Sequence, residues 1–265
     1  MTKPTKPAAL VTGASSGIGA VYADRLAKRG HPLVLVARDK ARLEALADRL
    51  RGETGVGVEV APADLLSKTD LAHVERRIAE DASIGLLVNN AGVATRGTFL
   101  ESDPDELERV VGLNVLAPTR LAAAAAKSFI ARGGGAIINI CSVLALAPER
   151  TNGAYGGSKS YLLNLSQALH AEAGARGLKV QAVLPGLTRT EIFDRVGRDM
   201  NALDQSRIME VGDLVDAALA GFDRGELVTI PSLPEEGDWK AFESARLKLG
   251  PNLSRNRSAD RYRLA

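Results

Sequence analysis

Seven short, mostly apolar runs at residues 8–11, 33–36, 56–60, 86–88, 136–140, 180–184 and 227–230 punctuate this chain, and longer stretches with leucines at helical spacing separate them, as at Leu43, Leu46 and Leu50 or Leu162, Leu165 and Leu169. Runs of that length and composition suit strands buried on both faces. Strands that alternate with helices must connect through right-handed crossovers, which build a parallel sheet covered on both sides. The expected fold is therefore α/β, a doubly wound parallel sheet of about seven strands with helices on both faces. With 265 residues and 45% hydrophobic content, the chain is long enough for one large domain of this kind. Ligands of such sheets bind beyond the carboxyl ends of the strands.

The first strand runs directly into Gly13-Ala14-Ser15-Ser16-Gly17-Ile18-Gly19. Strand, glycine-rich turn and helix together form a phosphate cradle: glycine permits close approach of a pyrophosphate to the main chain, and the first amides of the helix face the anion. The spacing is GxxxGxG, which departs from the GxGxxG fingerprint of many dinucleotide folds. The same residues also satisfy GxSxG, the nucleophile elbow of α/β-hydrolases, with Ser15 as nucleophile. That reading requires an acid and then a histidine later in the chain. The only histidines are His31, His73 and His170, and the serine follows the first strand rather than a central one.

Tyr155 and Lys159 stand four residues apart on a helical segment, with Ser142 thirteen residues upstream of the tyrosine. Positions i and i+4 share a helix face, which sets an ammonium beside a phenol. A free phenol ionises at about pKa 10, and lowering that by about three units takes about 4 kcal/mol, which one positive charge about 4 Å away supplies at an effective dielectric of about 20. The pairing is thus expected to favour phenolate. In the long helical segment before the fifth run, Pro118 follows Asn114 by four residues, so the Asn114 carbonyl loses its helical donor and a kink is expected there.

These motifs occur in an order that resembles the short-chain dehydrogenase/reductase family from residue 8 to about residue 230: TGASSGIG from Thr12, Asp64 after the third run, NNAG from Asn89, Asn114, Ser142, the Tyr155/Lys159 pair, and Pro185-Gly186 after the sixth run. The resemblance implies a Rossmann-like sheet and a reversible hydride transfer between a carbonyl and an alcohol. It implies Asn114, Ser142, Tyr155 and Lys159 as catalytic residues, with Tyr155 the general acid and base, Ser142 a second donor to the substrate oxygen, and Asn114 the holder of a water that links Lys159 to solvent. It further implies cofactor contacts from Gly13, Ser15, Ser16, Gly17, Ile18 and Gly19, from Asp64 and Leu65 near the adenine, and from Asn90, Ala91 and Gly92. Tyr155, Lys159, Pro185, Gly186, Thr188 and Thr190 complete that set near the nicotinamide.

At the end of the second run, Ala37-Arg38 stands where an acid would grip the ribose 2′-hydroxyl of an unphosphorylated cofactor. A guanidinium pairs with a 2′-phosphate, so NADP(H) is expected over NAD(H), although Asp39 is adjacent and Ser16 lies where many NADP-dependent relatives carry a second basic residue. The resemblance places the substrate pocket at residues 93–99, 143–152 and 187–208. Val143, Leu144, Leu146, Leu187, Ile192 and Phe193 make that pocket largely apolar, with Glu149 and Arg150 at its rim. The substrate is therefore a small-molecule ketone or aldehyde, or the matching alcohol.

Residues 1–232 are expected to form the dinucleotide-binding and catalytic domain, and residues 233–265 a basic extension that packs on that domain or on a neighbouring subunit. From Arg246 onward the extension has six basic residues against the single acid Asp260. A net charge of +2 over the whole chain argues against nucleic acid as a partner, no apolar run is long enough to span a bilayer, and one cysteine, Cys141, leaves no intrachain disulfide. A cytoplasmic protein with no membrane partner is expected. The alanine run 122–126, with the family's use of its helix and the one after Tyr155, leads to a homodimer or homotetramer. A non-catalytic NADP(H)-binding regulator is the main alternative, and the Ser15 hydrolase the remote one.

Overall fold

The computed structural model describes residues 6–191 and 199–262. Seven strands, β1 (Ala8–Thr12), β2 (Leu33–Ala37), β3 (Val58–Pro62), β4 (Ile84–Asn89), β5 (Gly135–Ile140), β6 (Leu178–Val183) and β7 (Val228–Thr229), form one sheet in the order β3-β2-β1-β4-β5-β6-β7, with every pairing parallel. Between them run α1 (Gly17–Lys28), α2 (Lys40–Thr54), α3 (Lys68–Glu80), α4 (Pro104–Val111), α5 (Ala117–Ala131), α6 (Gly153–Ala173) and α7 (Val211–Arg224). This is the doubly wound, Rossmann-like sheet read from the sequence.

Alternation along each strand decides which helix covers which face. Ala9, Val11, Leu33, Leu35, Val88 and Ile138 pack with Leu26 of α1, Leu43 and Leu50 of α2 and Leu214 of α7. The intervening Leu10, Val34, Val36, Leu87 and Ile137 point the other way and pack with Val74 and Ile78 of α3 and Leu121, Ala125 and Phe129 of α5. Ala122, Ala125 and Ala126 of the alanine run are buried in this second core, so three of its five residues serve internal packing.

One local detail differs from expectation. β3 begins at Val58 rather than residue 56, because Gly55 adopts the left-handed conformation that closes α2 and leaves Val56 in the turn. The strand then extends to Pro62, which is tolerated because β3 is the sheet edge. Before Pro118, residues Gly112–Leu116 form one π turn, in which the Ala117 amide bonds back to the Gly112 carbonyl, and Pro118 falls in the first turn of α5.

The chain divides into a unit Met1–Pro231 and a unit Ser232–Ala265. In the second, α8 (Glu236–Lys248) carries Glu236 and Asp238 in its first turn and Arg246 and Lys248 in its last, which complements the helix dipole. Trp239 and Phe242 stack at 5.3 Å between ring centroids, and no residue of α8 is buried.

Candidate active site

Strand order reverses between β1 and β4, and hydrogen bonds there hold the ends of both strands together. Thr12 Oγ1 donates to the Val88 carbonyl (3.3 Å) and accepts from the amides of Asn90 (3.0 Å) and Ala91 (3.1 Å). Asn90 Nδ2 returns bonds to the carbonyls of Thr12 (2.9 Å) and Gly13 (3.2 Å). The glycine-rich turn is consequently so tight that a Cβ on Gly13 would lie 2.8 Å from Asn90 Nδ2, and one on Gly19 would lie 2.3 Å from the Gly13 carbonyl oxygen. Gly13 and Gly17 also have positive φ, at 66° and 54°. The Ser16 side chain does not cap α1, and the tight turn at the start of that helix fits a pyrophosphate.

Ser142, Tyr155 and Lys159 converge at the carboxyl end of β5. Ser142 follows that strand directly, and its hydroxyl accepts from the Leu144 amide at 3.1 Å, which opens the short turn Val143–Ala145. The same hydroxyl hydrogen-bonds Tyr155. Lys159 is buried and donates to the Ile140 carbonyl at 3.0 Å, with Nζ 5.7 Å from the centroid of the Tyr155 ring. The expected depression of the phenol by this lysine is not what the structure gives. Burial pushes Tyr155 up to about 12, the Ser142 hydrogen bond opposes that rise, and burial also lowers Lys159. The ammonium is spent on a carbonyl instead of the phenol, and desolvation of the phenolate outweighs what remains.

Asn114, in the π turn, is buried. Its side chain is committed in both directions to the main chain of Val93: Oδ1 accepts from the amide (2.9 Å), and Nδ2 donates to the carbonyl (2.8 Å) and to Ser158 Oγ (3.2 Å). Gly92 is the point where this residue meets Lys159, since a Cβ there would lie 3.2 Å from Asn114 Oδ1 and 3.6 Å from Lys159 Nζ.

At the end of β2, Asp39 is used as the cap of α2, accepting from the Arg42 amide at 3.0 Å, and it also pairs with the Arg42 side chain. Arg38 beside it is exposed and has no ion-pair partner among the described residues. Arg42 reaches Glu191 at 2.9 Å. Asp64 accepts from the Leu66 amide at 3.0 Å, and Ser67, not Asp64, caps α3. Leu65 is buried next to it. On the other side, the Pro185 carbonyl accepts from the Val143 amide (2.9 Å), the buried Thr188 donates to the Gly186 carbonyl (3.1 Å), and Thr190 lies against Gly17, whose Cβ would meet the Thr190 methyl at 3.6 Å. Gly13, Arg38, Asp64, Asn90, Ser142 and Pro185 thus all follow the carboxyl ends of β1 to β6. Val143, Leu144 and Leu187 are half-buried and Leu146 is exposed, while Ile192 and Phe193 lie outside the described residues.

Several further residues hold this site. Thr12 is the hub of the switch point. Asn139 accepts from Asn89 Nδ2 (3.0 Å) and donates to Ser166 (2.9 Å), joining β4, β5 and α6 in the core. Ser158 donates to the Tyr155 carbonyl at 2.7 Å. Cys141, whose thiol burial pushes up to about 12, behaves as the packed core residue its setting predicts. Among the described residues no histidine bonds Ser15: His31 pairs with the Pro7 carbonyl, His73 belongs to α3, and His170 to the last turn of α6.

The family described as short chain dehydrogenase matches residues 7–201. Among solved structures, the chain is similar to a short-chain dehydrogenase from Sphingobium yanoikuyae in complex with NADPH, at 55% identity and a TM-score of 0.94, over 97% of this chain and 100% of that one. It is also similar to the bulky-bulky ketone specific alcohol dehydrogenase from Comamonas testosteroni, at 50% identity and a TM-score of 0.90, over 97% and 99%. The very-long-chain 3-oxoacyl-CoA reductase of Anas platyrhynchos is 31% identical over 188 residues, which span 69% of this chain but only 60% of that protein. A family match of such length, borne by the same motifs that meet at the switch point, makes this chain a member of the short-chain dehydrogenase/reductase family.

Proposed function

We propose that this oxidoreductase is NADP(H)-dependent and interconverts a bulky, largely apolar ketone and its secondary alcohol, with Tyr155 as the proton donor and acceptor. The observation that carries the reading is the meeting of Ser142, Tyr155 and Lys159 at one strand end, together with the tight glycine-rich turn after β1 and an exposed Arg38 after β2 that has no ion-pair partner among the described residues. The NADPH complex of the Sphingobium yanoikuyae protein and the ketone specificity of the Comamonas testosteroni enzyme support it.

The nicotinamide dinucleotide, when bound, supplies the hydride, which no side chain can carry. Gly13, Ser15, Ser16, Gly17, Ile18 and Gly19 would hold its phosphates, Arg38 the 2′-phosphate, and Asp64 and Leu65 the adenine. Asn90, Ala91, Gly92, Lys159, Pro185, Gly186, Thr188 and Thr190 would line the remainder. Tyr155 gives its proton to the substrate oxygen, while Ser142 donates a hydrogen bond to the same atom as charge develops there. Burial favours the protonated phenol, the form that donates to a carbonyl oxygen. Asn114 fixes Val93, and with it Gly92, beside Lys159.

The exposed Leu116 and Tyr161 support pairing of subunits through α5 and α6 into a homodimer or homotetramer. The α8 helix, none of it buried, with Phe242, Leu247 and nearby Leu249 and Leu253 exposed, supports an extension that is covered in the assembled protein. A lone buried thiol suits a cytoplasmic setting.

A panel of ketones, aldehydes and secondary alcohols assayed with both cofactors tests the activity. NADPH oxidation with bulky ketones is expected, and NADPH binding without turnover of any carbonyl would favour the regulator reading instead. Arg38→Asp is expected to raise the NADPH dissociation constant about 100-fold and to change the NADH constant less than about threefold. A variant that still prefers NADPH would refute the role of Arg38. In the cofactor-free protein, the phenolate absorbance attributable to Tyr155, taken as the difference from Tyr155→Phe, is expected to stay flat from about pH 7 to about pH 10. Ionisation with a midpoint of about 7 would contradict the dominance of burial.

A further inference from the structure

The catalytic helix α6 starts at Gly153, and its cap is Asn152, whose Oδ1 accepts from the Ala154 amide at 3.0 Å. Asp39, Ser67 and Asp103 cap α2, α3 and α4 with oxygen in the same manner. Capping needs only an acceptor, which Asp, Ser and Thr supply as well as Asn does; of these, Asn alone adds an amide donor. That donor is used. Asn152 Nδ2 bonds to Ser102 Oγ at 3.0 Å, across fifty residues of sequence.

Ser102 ends a segment that begins at Val93. Its hydroxyl also donates to the Thr98 carbonyl (2.8 Å), while Glu101 accepts from the Thr98 amide (3.0 Å) and hydroxyl (2.9 Å), which folds residues 97–102 into a compact turn around the positive-φ Gly97. The other end of the segment is held by Asn114, which grips Val93 and reaches Ser158. The segment is therefore tied to α6 twice, at residues 152 and 158, and Tyr155 lies midway between the two ties on the same side of the helix. Phe99, at the middle of the segment, faces Gly153, where a Cβ would lie 3.9 Å from the ring.

We infer that Asn152 and Ser102 are positioning residues: their hydrogen bond fixes the 93–103 segment as a strap over the start of α6 and so sets the space between the strap and the Tyr155 hydroxyl that a bulky ketone must fill. The inference rests on the ketone reading above. It concerns substrate placement and leaves the proton step to Tyr155. A small ketone, which does not reach the strap, is indifferent to the tie.

The test uses the full chain with Ser102→Ala, Asn152→Ser and the double variant; Asn152→Ser keeps a capping oxygen and loses the amide, and Ser102→Thr keeps the hydroxyl. Each single variant is expected to raise KM for a diaryl ketone about 5- to 10-fold with kcat changed less than about twofold, and Ser102→Ala to leave a small methyl ketone and the NADPH dissociation constant unmoved. The double variant matches Ser102→Ala, because the Asn152 amide has already lost its partner there, and Ser102→Thr restores the parent value. Parent-like KM in both singles, multiplying losses in the double, or equal losses on large and small ketones together with a lower Tm would each overturn the inference. Should the parent reduce no ketone at all, the functional reading fails separately, and amide exchange still decides the strap: Ser102→Ala must speed exchange in both residues 96–103 and residues 153–157, and unchanged exchange in the latter overturns it.

Discussion

The hydrogen bonds between Thr12 and Asn90 at the point where β1 and β4 part are the constraint from which the site follows. A parallel sheet opens a crevice wherever its strand order reverses, because the two connections leave on opposite faces. Here one threonine hydroxyl and one asparagine amide close the floor of that crevice with five bonds, the Val88 carbonyl included. The closure draws the two turns into contact distances that only glycine tolerates at positions 13 and 19. It also places Ala91 and Gly92 directly over the sheet end, where Lys159 and Asn114 meet. The glycine-rich turn and the Ser142, Tyr155 and Lys159 cluster thus stand along one edge of the sheet.

Burial is the second organising influence, and it works against ionisation. Lys159 is buried and takes the Ile140 carbonyl as its partner, and the Ser142 hydroxyl is left to oppose the rise of Tyr155. A helix face can bring ammonium and phenol within a few ångströms and still fail to favour the phenolate, because Coulomb attraction and desolvation grow together as a site leaves water. A phenol that keeps its proton suits donation to a carbonyl oxygen. Removal of a proton from an alcohol calls for additional positive charge near the ring.

Much of this architecture was legible in the sequence because strands buried on both faces advertise themselves as short apolar runs, and because three glycines within seven residues of a strand end mark a turn where the backbone must pass close to something. The parallel sheet of seven strands follows from the first signal, and the tight turn from Gly13 to Gly19 from the second. Other features were hidden for a physical reason. The start of β3 depends on the left-handed Gly55, which reads equally well as part of a longer strand. The π turn at residues 112–116 is one of two ways to absorb the missing amide of Pro118, and packing against Val93 and Ser158, distant in sequence, selects it. Asn139, Ser158 and Asn152 look like ordinary polar residues until the fold brings them partners up to 50 residues away.

The central claim of this account is that Tyr155 passes the proton, and a single-turnover experiment addresses it most directly. The protein and its Tyr155→Phe variant are loaded with NADPH and mixed with a bulky ketone, and the loss of NADPH absorbance is followed. A decrease of about 10²- to 10⁴-fold in the observed rate is expected, with NADPH affinity unchanged within about twofold. A variant that oxidises NADPH within about tenfold of the parent rate would contradict the assignment.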